Sequence, residues 1–279
     1  MRLVIALPFV WLGLFFLLPF ALVLAIALGT NAPDLAPPVE LGLGLQNFAL
    51  LFTDDLYVAA WLSSLRIAAT ATAITLLLGY PMAYAIARAS PRWRSVLLML
   101  VILPFWTSFL IRVYAWIGVL ANNGLLEQFL RWTGLAQNPE TILGTEWAVQ
   151  LGIVYAYLPF MVLPLYAALE KLDVSLLEAA ADLGARPLSA FVTITLPLSL
   201  PGVVAGCLLV FIPAVGEFVI PDLLGGTGTL MIGKVLWDEF FTNADWPLAS
   251  AVAISLLVLL VGPIALFQRQ QAKSLERRP

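Results

Sequence analysis

The sequence predicts an all-α integral membrane protein with six transmembrane helices, and three observations indicate that fold class. Apolar residues make up 62% of the 279 positions and charged residues 11%, whereas soluble domains contain about 45–50% and about 25%. Long apolar runs recur along the chain, each near the roughly 20 residues that cross a bilayer as a helix. Lysine and arginine are concentrated in alternate loops, as expected of a chain that crosses a membrane several times.

Six apolar segments are the predicted spans, within a single permease domain over 1–279. The first is too long for a secretory signal peptide, whose apolar core has roughly 7–15 residues, so a retained helix is favoured over a cleaved signal. Asn, Pro and Gly residues at 31–38, 122–124 and 225–228 mark three loops. Segment 125–132 is expected to form a short interfacial helix. The spans are 3–28, 61–87, 96–120, 147–169, 200–223 and 248–268.

The positive-inside rule predicts that both termini are cytoplasmic. Arg66 and Arg112 fall within spans, and the other Lys and Arg residues divide ten to two between the two sides, which accounts for all 14. The side of the termini has Arg2, Arg88, Arg92, Arg94, Lys171, Arg186, Arg269, Lys273, Arg277 and Arg278, and the opposite side has Arg131 and Lys234. The chain is therefore expected to be a multi-pass protein of the cell inner (plasma) membrane.

The predicted cytoplasmic loop over 170–198 has the strongest local signals. Ser175 and Glu178 have the spacing of a capping box, which starts a helix, and the alanines that follow favour helix with little bulk. Gly184 suits the left-handed position after a helix, and Pro187 suits the first turn of a second one. The loop is expected to be a rigid helix that fits a groove on another protein. The alternative is an amphipathic connector on the lipid surface.

This loop resembles the EAA loop of ABC-importer permeases. Glu178, Ala179, Ala180, Gly184 and the sequence Ile194-x-Leu196-Pro197 occupy the defining positions. The resemblance implies the type I permease fold, with a coupling helix that docks into a separate ATPase subunit. The coupling residues that it implies are Ser175, Glu178, Ala179, Ala180, Asp182, Gly184, Arg186, Ile194, Leu196 and Pro197.

Four further segments narrow the resemblance to the polyamine permeases of that family. They are 103–116, 122–124, 155–164 and 211–226, in or beside the third, fourth and fifth spans. The sequence is most similar to putrescine permeases, although it has a shorter amino terminus than those subunits. The resemblance therefore implies putrescine, or spermidine, as the substrate.

Charged residues inside a bilayer are costly and usually face a pathway or a partner. Arg66 is interpreted as reaching the outer interface. Arg112 and Glu217 have similar predicted heights in the outer part of the third and fifth spans. They could form a structural ion pair, or Glu217 could receive a cationic substrate in the outward-facing half of the pathway. Both are possible if the pair opens during transport.

Aromatic faces attract cations, so aromatic residues near Glu217 are pathway candidates. For each of them a role in the interface belt or in packing is the alternative. Asp222 is an additional candidate because acidic outer loops attract cations or a basic partner surface, although ordinary solubilising charge would explain it equally well. The aromatic candidates are Trp106, Tyr114, Trp116, Tyr155 and Tyr157.

The predicted function is transport by alternating access, without enzymatic activity on this chain. The chain lacks the Gly-x-x-x-x-Gly-Lys-Ser/Thr phosphate loop, so ATP with Mg²⁺ is expected on a partner ATPase and no cofactor or metal is expected here. The expected partners are two ATPase subunits, a second homologous permease, a periplasmic polyamine-binding protein and the lipid bilayer, with no nucleic acid.

Three other functions are considered. A permease for another small organic cation or an amino-acid-like solute would share much of this pattern. An ion-coupled secondary transporter often has inverted repeats with broken helices, which the sequence does not suggest. An intramembrane enzyme is disfavoured because the chain has no histidine, the commonest general base.

Overall fold

The computed structural model describes residues 2–134 and 142–276. Arg277 and Arg278, counted above for orientation, lie outside these residues. The predicted all-α class is confirmed, since the described residues are mostly helical with one hairpin of two-residue strands. Five helical segments among them are long and apolar enough to span a bilayer, and a sixth apolar helix is shorter. The five are Ala6–Ala27, Asp55–Arg88, Phe109–Trp132, Glu146–Glu170 and Pro187–Val215, and the sixth is Trp246–Gly262.

Packing divides the chain into two compact units, Met1–Leu62 with Met231–Pro279, and Ser63–Leu230. The prediction that 1–279 acts as one permease domain stays a prediction. In the first unit α14 packs against α2, α3 and α13. The elements of this unit are α1 (Arg2–Leu12), a π-helical turn (Gly13–Leu17), α2 (Leu18–Ala27), β1 (Thr30–Asn31), β2 (Val39–Glu40), α3 (Gln46–Thr53), the start of α4 (Asp55–Arg88), α13 (Ile232–Phe241) and α14 (Trp246–Glu276).

The short strands β1 and β2 pair antiparallel, with Thr30 opposite Glu40. Nearby, the Asn47 side chain donates hydrogen bonds to the carbonyl oxygens of Ala27 and Gly29, at 2.8 and 2.9 Å. The last carbonyls of a helix have no partner within it. Asn47 therefore closes the end of α2.

The second unit contains the rest of α4 and the helices that follow it. Its core is the packing of α8 against α11. The elements are α5 (Pro91–Ile102), a 3₁₀ turn (Leu103–Trp106), α6 (Phe109–Leu120), α7 (Leu125–Trp132), α8 (Glu146–Glu170), α9 (Ser175–Asp182), α10 (Pro187–Ala190), a π-helical turn (Phe191–Thr195), α11 (Leu196–Val215) and α12 (Val219–Leu224).

Glycines bring α4, α8 and α11 close together around Met161. A Cβ atom on Gly206 would lie 2.7 Å from the Met161 sulfur, and one on Gly79 would lie 2.9 Å from the Met161 Cγ. The Met161 side chain is fully buried. Small residues at such contacts let membrane helices approach closely, so this three-helix contact is a rigid frame.

The third and fifth predicted spans need correction, because neither is continuous. The span over 96–120 is interrupted after α5 by the 3₁₀ turn, and α6 begins only at Phe109. The span over 200–223 ends at Val215, and residues 216–218 separate α11 from α12. Each break follows a proline, Pro104 or Pro213, which removes a backbone donor from the helix. The expectation that broken helices are absent was therefore wrong.

The predicted interfacial helix over 125–132 forms as α7. Leu125, Phe129 and Trp132 are exposed along it, and Glu127 pairs with Arg131 one turn apart. This distribution is typical of a helix that lies in the membrane interface. Its contact with lipid stays a prediction.

Candidate functional site

A cavity of about 490 Å³ lies where the two helix breaks of the second unit meet α8. Its volume is within the roughly 300–1,000 Å³ that ligand sites usually have. Aromatic residues and two opposite charges line it. The lining residues are Phe105, Phe109, Arg112, Ala156, Tyr157, Phe160, Pro213, Gly216, Glu217, Phe218 and Val219.

Glu217 lies in the break between α11 and α12 and is 7% exposed. The Tyr157 hydroxyl on α8 donates a hydrogen bond to Glu217 Oε2. The other carboxylate oxygen accepts from the backbone N–H groups of Val219 and Ile220, at 3.1 and 3.4 Å. The carboxylate thus joins the start of α12 to α8, and it has the partners that a buried polar group needs.

Arg112 lines the same cavity but does not pair with Glu217. Its Nη1 donates to the carbonyl oxygen of Pro104 in the 3₁₀ turn. The guanidinium carbon lies 5.4 and 5.9 Å from the ring centroids of Phe105 and Phe109, which is within cation–π range. No ion pair joins Arg112 to Glu217 among the described residues. The structural ion pair considered from the sequence is therefore wrong for this conformation.

Of the five aromatic candidates, Tyr157 alone lines this cavity. Trp106 and Tyr114 are 72% and 57% exposed, and Trp116 packs edge-on against Tyr155 with centroids 5.4 Å apart. In the described structure, the cavity at Glu217 is therefore not lined by Trp106, Tyr114, Trp116 or Tyr155.

The other acidic candidate, Asp222, is exposed on α12. The sequence interpretation missed Phe105, Phe109 and Phe160 as lining residues. Phe105 follows Pro104 directly and Phe109 begins α6 after the break, so a proline break could have indicated both.

The predicted coupling loop forms the exposed helix α9, but its start differs from the prediction. The residue before the helix is Val174, which makes no side-chain cap, and Ser175 is already helical. The Asp173 carboxylate instead accepts a hydrogen bond from the Ser175 N–H at 3.0 Å. This backbone hydrogen bond, with one from the Ser175 side chain, lowers the pKa of Asp173 from its usual value. The capping box of Ser175 and Glu178 therefore needs correction.

The end of α9 follows the predicted geometry. Gly184 has φ of +79°, the left-handed conformation that glycine adopts without steric cost. The Gly184 N–H donates to Ala181 O and the Ala185 N–H to Ala180 O, both at 2.9 Å. These two bonds form a Schellman motif, which satisfies the last carbonyls of the helix. Pro187 then opens α10.

The predicted coupling residues occupy an exposed surface that leads directly into α11. Leu183 and Leu188 are 89% and 74% exposed, which is typical of apolar residues that another surface covers. At the base of the loop, Arg94 Nη1 pairs with Glu170 at 2.8 Å. Glu178, Ala179, Asp182, Gly184, Arg186 and Pro197 are exposed, Ala180 is buried, and Ile194 and Leu196 are half-buried.

The family model and the similar proteins agree on one protein family. The model for the family "binding-protein-dependent transport system inner membrane component" matches residues 76–274. The chain is 44% identical to the spermidine/putrescine transport system permease protein PotB of Haemophilus influenzae, over 96% of this chain and 93% of that protein. It is also 44% identical to PotB of Escherichia coli strain K12, over 90% of each chain. These similarities are to transport proteins, not to enzymes.

A solved structure shows the same fold at low sequence identity. A bacterial alginate ABC transporter, in complex with an alginate pentasaccharide-bound periplasmic protein, matches with a TM-score of 0.68 and 19% identity. The match covers 99% of this chain and 94% of that one. It supports an ABC permease fold.

Both relatives named above combine spermidine and putrescine in their names, so the comparisons do not single out the putrescine permeases expected from the sequence.

Proposed function

The chain belongs to the family of inner membrane components of binding-protein-dependent transport systems, and from that membership we propose that it carries a polyamine into the cytoplasm. The names of its relatives include both spermidine and putrescine. Either is an equally good candidate. The proposed mechanism is alternating access, driven by ATPase subunits on separate chains.

The observation that carries this proposal is the buried carboxylate of Glu217 in an aromatic-lined cavity. A polyamine ammonium group needs an anionic acceptor and aromatic faces, and Glu217 with Tyr157 and Phe160 supplies both. Arg112 is engaged by Pro104, so the Glu217 carboxylate is not neutralised by it. Among the described residues, no three His, Cys, Asp or Glu side chains are arranged to hold a metal.

A substrate can shift a conformational equilibrium only if its contacts differ between the two conformations. The proposed difference lies in the Glu217 contacts. While Tyr157 and the N–H groups of α12 hold the carboxylate, α12 is fixed to α8. An ammonium group that approaches Glu217 competes with these donors and releases α12. Substrate binding and the position of α12 are therefore linked through one carboxylate.

The exposed surface of α9 is the proposed contact with the ATPase. Two ATPase subunits bind ATP with Mg²⁺, and one of them docks onto α9. The Schellman end at Gly184 makes α9 rigid, and the chain continues through α10 into α11, which ends two residues before Glu217. Movement at α9 is thereby transmitted along one helix to the cavity. This is the proposed coupling route.

The remaining partners and the orientation complete the proposal. Both termini are cytoplasmic, because the loops on that side hold most of the Lys and Arg residues. A second permease subunit forms the other half of the pathway. A periplasmic polyamine-binding protein delivers the substrate to the outer face, and the alginate transporter complex with its periplasmic protein supports that assignment.

The test is polyamine uptake into vesicles that contain the whole transporter with its binding protein. We expect Glu217→Gln to lower ATP-driven uptake by about 10–100-fold, because charged hydrogen bonds contribute about 1.5–3 kcal/mol. Asp222→Asn, which removes an exposed acid from α12, is the matched control and should retain uptake. Wild-type rates for Glu217→Gln in a fully assembled complex would remove Glu217 from the pathway.

An amino-acid-like solute is the second candidate, because Arg112 and Glu217 line one cavity. A zwitterion could place its carboxylate at Arg112 and its ammonium group at Glu217. Competition distinguishes the two candidates. Excess spermidine or putrescine should suppress labelled polyamine uptake, whereas ornithine and lysine should not. Suppression by the amino acids, with Arg112→Gln abolishing it, would favour the second candidate.

A further inference from the structure

An open groove of about 530 Å³ runs between α4 and α8 in the second unit. Its walls include Ile74 and Leu78 from α4, and Trp147, Leu151 and Val154 from α8. None of these residues belongs to the cavity at Glu217 or to the coupling loop. The groove therefore has no role in the proposed transport cycle.

The chemistry of the groove changes along its length. Arg66, Thr70, Ile74 and Leu78 follow one another at intervals of four on α4, so they lie on one face of the helix. This face is charged at one end, polar in the middle and apolar at the other end. A phospholipid has the same order of headgroup, ester region and acyl chain.

The charged end contains two opposite charges, Arg66 on α4 and Glu146 at the start of α8. Arg66 Nη2 pairs with Glu146 Oε2, and the two side chains are 63% and 40% exposed. An exposed ion pair contributes little by itself and can exchange partners readily. A zwitterionic headgroup matches it, with the phosphate at Arg66 and the ammonium group at Glu146. Trp147, 72% exposed beside it, suits the membrane interface.

The polar middle of the groove has an unused acceptor. Gln150 is 5% exposed, and its amide N–H₂ donates to the Thr70 hydroxyl. Its Oε1 is buried and accepts no hydrogen bond. Such an atom is costly unless a donor reaches it. A lipid whose headgroup has N–H donors can supply one, and a fully methylated choline headgroup cannot.

We infer that this groove is a binding site for a phospholipid with a zwitterionic primary-ammonium headgroup, of the phosphatidylethanolamine class. Arg66 and Glu146 bind the headgroup, whose ammonium group also donates to Gln150 Oε1, and Ile74, Leu78 and Val154 contact an acyl chain. The site is in the outer leaflet if the termini are cytoplasmic as proposed. The site itself does not depend on the transported substrate.

The experiment is native mass spectrometry of the whole transporter, purified and exchanged into equal amounts of phosphatidylethanolamine and phosphatidylcholine. We expect the wild type to retain the ethanolamine lipid preferentially. Arg66→Gln with Glu146→Gln should reduce that preference about tenfold. The matched control is Arg131→Gln with Glu127→Gln, which removes the ion pair of α7. Neither residue lines the groove, so the preference should be unchanged.

Two further variants test the apolar end of the groove. Ile74→Trp and Leu78→Trp fill it, so retention of ethanolamine lipid should fall while the assembled transporter keeps its Tm in detergent. A photo-crosslinking residue at Leu78 should capture lipid. Equal retention of both lipids by the wild type would overturn the inference. So would an unchanged preference in the Arg66 and Glu146 variant, or capture of a protein subunit at Leu78.

Discussion

Helices α9 and α11 each end at a glycine, and the two ends are built differently. At Gly184, after α9, φ is +79°, whereas at Gly216, after α11, φ is −91°. A Cβ atom would meet nothing within 4 Å at either position. Glycine is therefore needed at Gly184 for its backbone conformation and is not needed at Gly216 for conformation or space.

The two ends also differ in what stabilises them. The end of α9 is exposed and is closed by backbone hydrogen bonds among neighbouring residues. The chain after α11 is buried, and the Glu217 carboxylate there accepts from the first N–H groups of α12 and from Tyr157, 60 positions away in the sequence. A short-range motif closes the first end, and a long-range contact ties the segment after the second end to α8.

This difference teaches where movement can occur. A helix end closed by its own backbone stays closed whatever binds nearby, which suits a surface that transmits force. A helix end held by one buried side chain opens when that side chain finds another partner. The coupling helix and the cavity thus need opposite kinds of helix end.

The largest expected effect is at the buried end. Tyr157→Phe removes the hydroxyl that donates to Glu217 and leaves a buried carboxylate short of a donor. We expect the free energy of unfolding of the second unit to fall by about 1.5–3 kcal/mol. This loss of stability is measured by hydrogen exchange of amides 216–224 in the purified transporter. Their exchange should become faster, because α12 should open more often.

The control for that substitution is Tyr155→Phe. Tyr155 is 37% exposed and packs against Trp116 through its ring, so loss of its hydroxyl should change exchange little. Equal exchange at 216–224 in the wild type and in Tyr157→Phe would show that the buried end does not depend on the long-range contact. The contrast between the two helix ends would then fail.

A smaller effect is expected from the same substitution at both glycines. Gly184→Ala forces a Cβ into the left-handed region, at a cost of about 1–2 kcal/mol. Gly216→Ala meets no strain and should be neutral or stabilise by up to about 1 kcal/mol. Exchange of amides 179–185 should rise in the first variant, and exchange of amides 212–218 should not rise in the second.

Gly184→Ala also tests coupling. If α9 is the rigid contact with the ATPase, Gly184→Ala should lower uptake per ATP hydrolysed by up to about tenfold, and Gly118→Ala on α6, where a Cβ atom meets nothing within 4 Å, should not. Faster exchange at α9 with unchanged uptake per ATP would count against the docking role. Similar losses in both variants would show that glycine itself, not the sign of φ, is what matters.

The sequence predicted much of the exposed end and little of the buried one. Gly184 and Pro187 are local signals, and the turn formed as expected. The error there was one of detail, since Asp173 and not Ser175 supplies the side-chain acceptor at the helix start. In the buried region Glu217 was singled out as an intramembrane charge. Its partner Tyr157 was one of five equivalent aromatics, because nothing in sequence spacing shows which α8 residue faces α11.

The helix breaks show the same limit. Pro104 and Pro213 lie within predicted spans, but proline also occurs at 81, 159 and 164 within helices that continue. Whether a proline ends a membrane helix depends on what satisfies the freed backbone groups. At this break the Pro104 carbonyl oxygen accepts from nearby Thr107 and also from the Arg112 side chain, eight positions away. That contact needs the folded chain and is not a sequence signal.

The smallest expected effect is at the start of α9 and depends on pH. Asp173 accepts the Ser175 N–H, which lowers its pKa below the usual 3.8. A carboxylate with a lowered pKa stabilises the folded state above its unfolded pKa, and this contribution is lost as pH falls through the folded pKa. Protection of the first α9 amides should therefore be constant at neutral pH and fall on strong acidification.

Asp173→Asn separates this carboxylate from the rest of the loop. The amide side chain can still accept from the Ser175 N–H but cannot titrate, so protection at 175–178, corrected for intrinsic exchange, should lose its acid dependence. Asp182→Asn, at the other end of α9, is the control and should keep the wild-type profile. The same acid dependence in Asp173→Asn would mean that contacts beyond the loop hold the start of α9. The exposed helix would then resemble the buried one more than its local hydrogen bonds indicate.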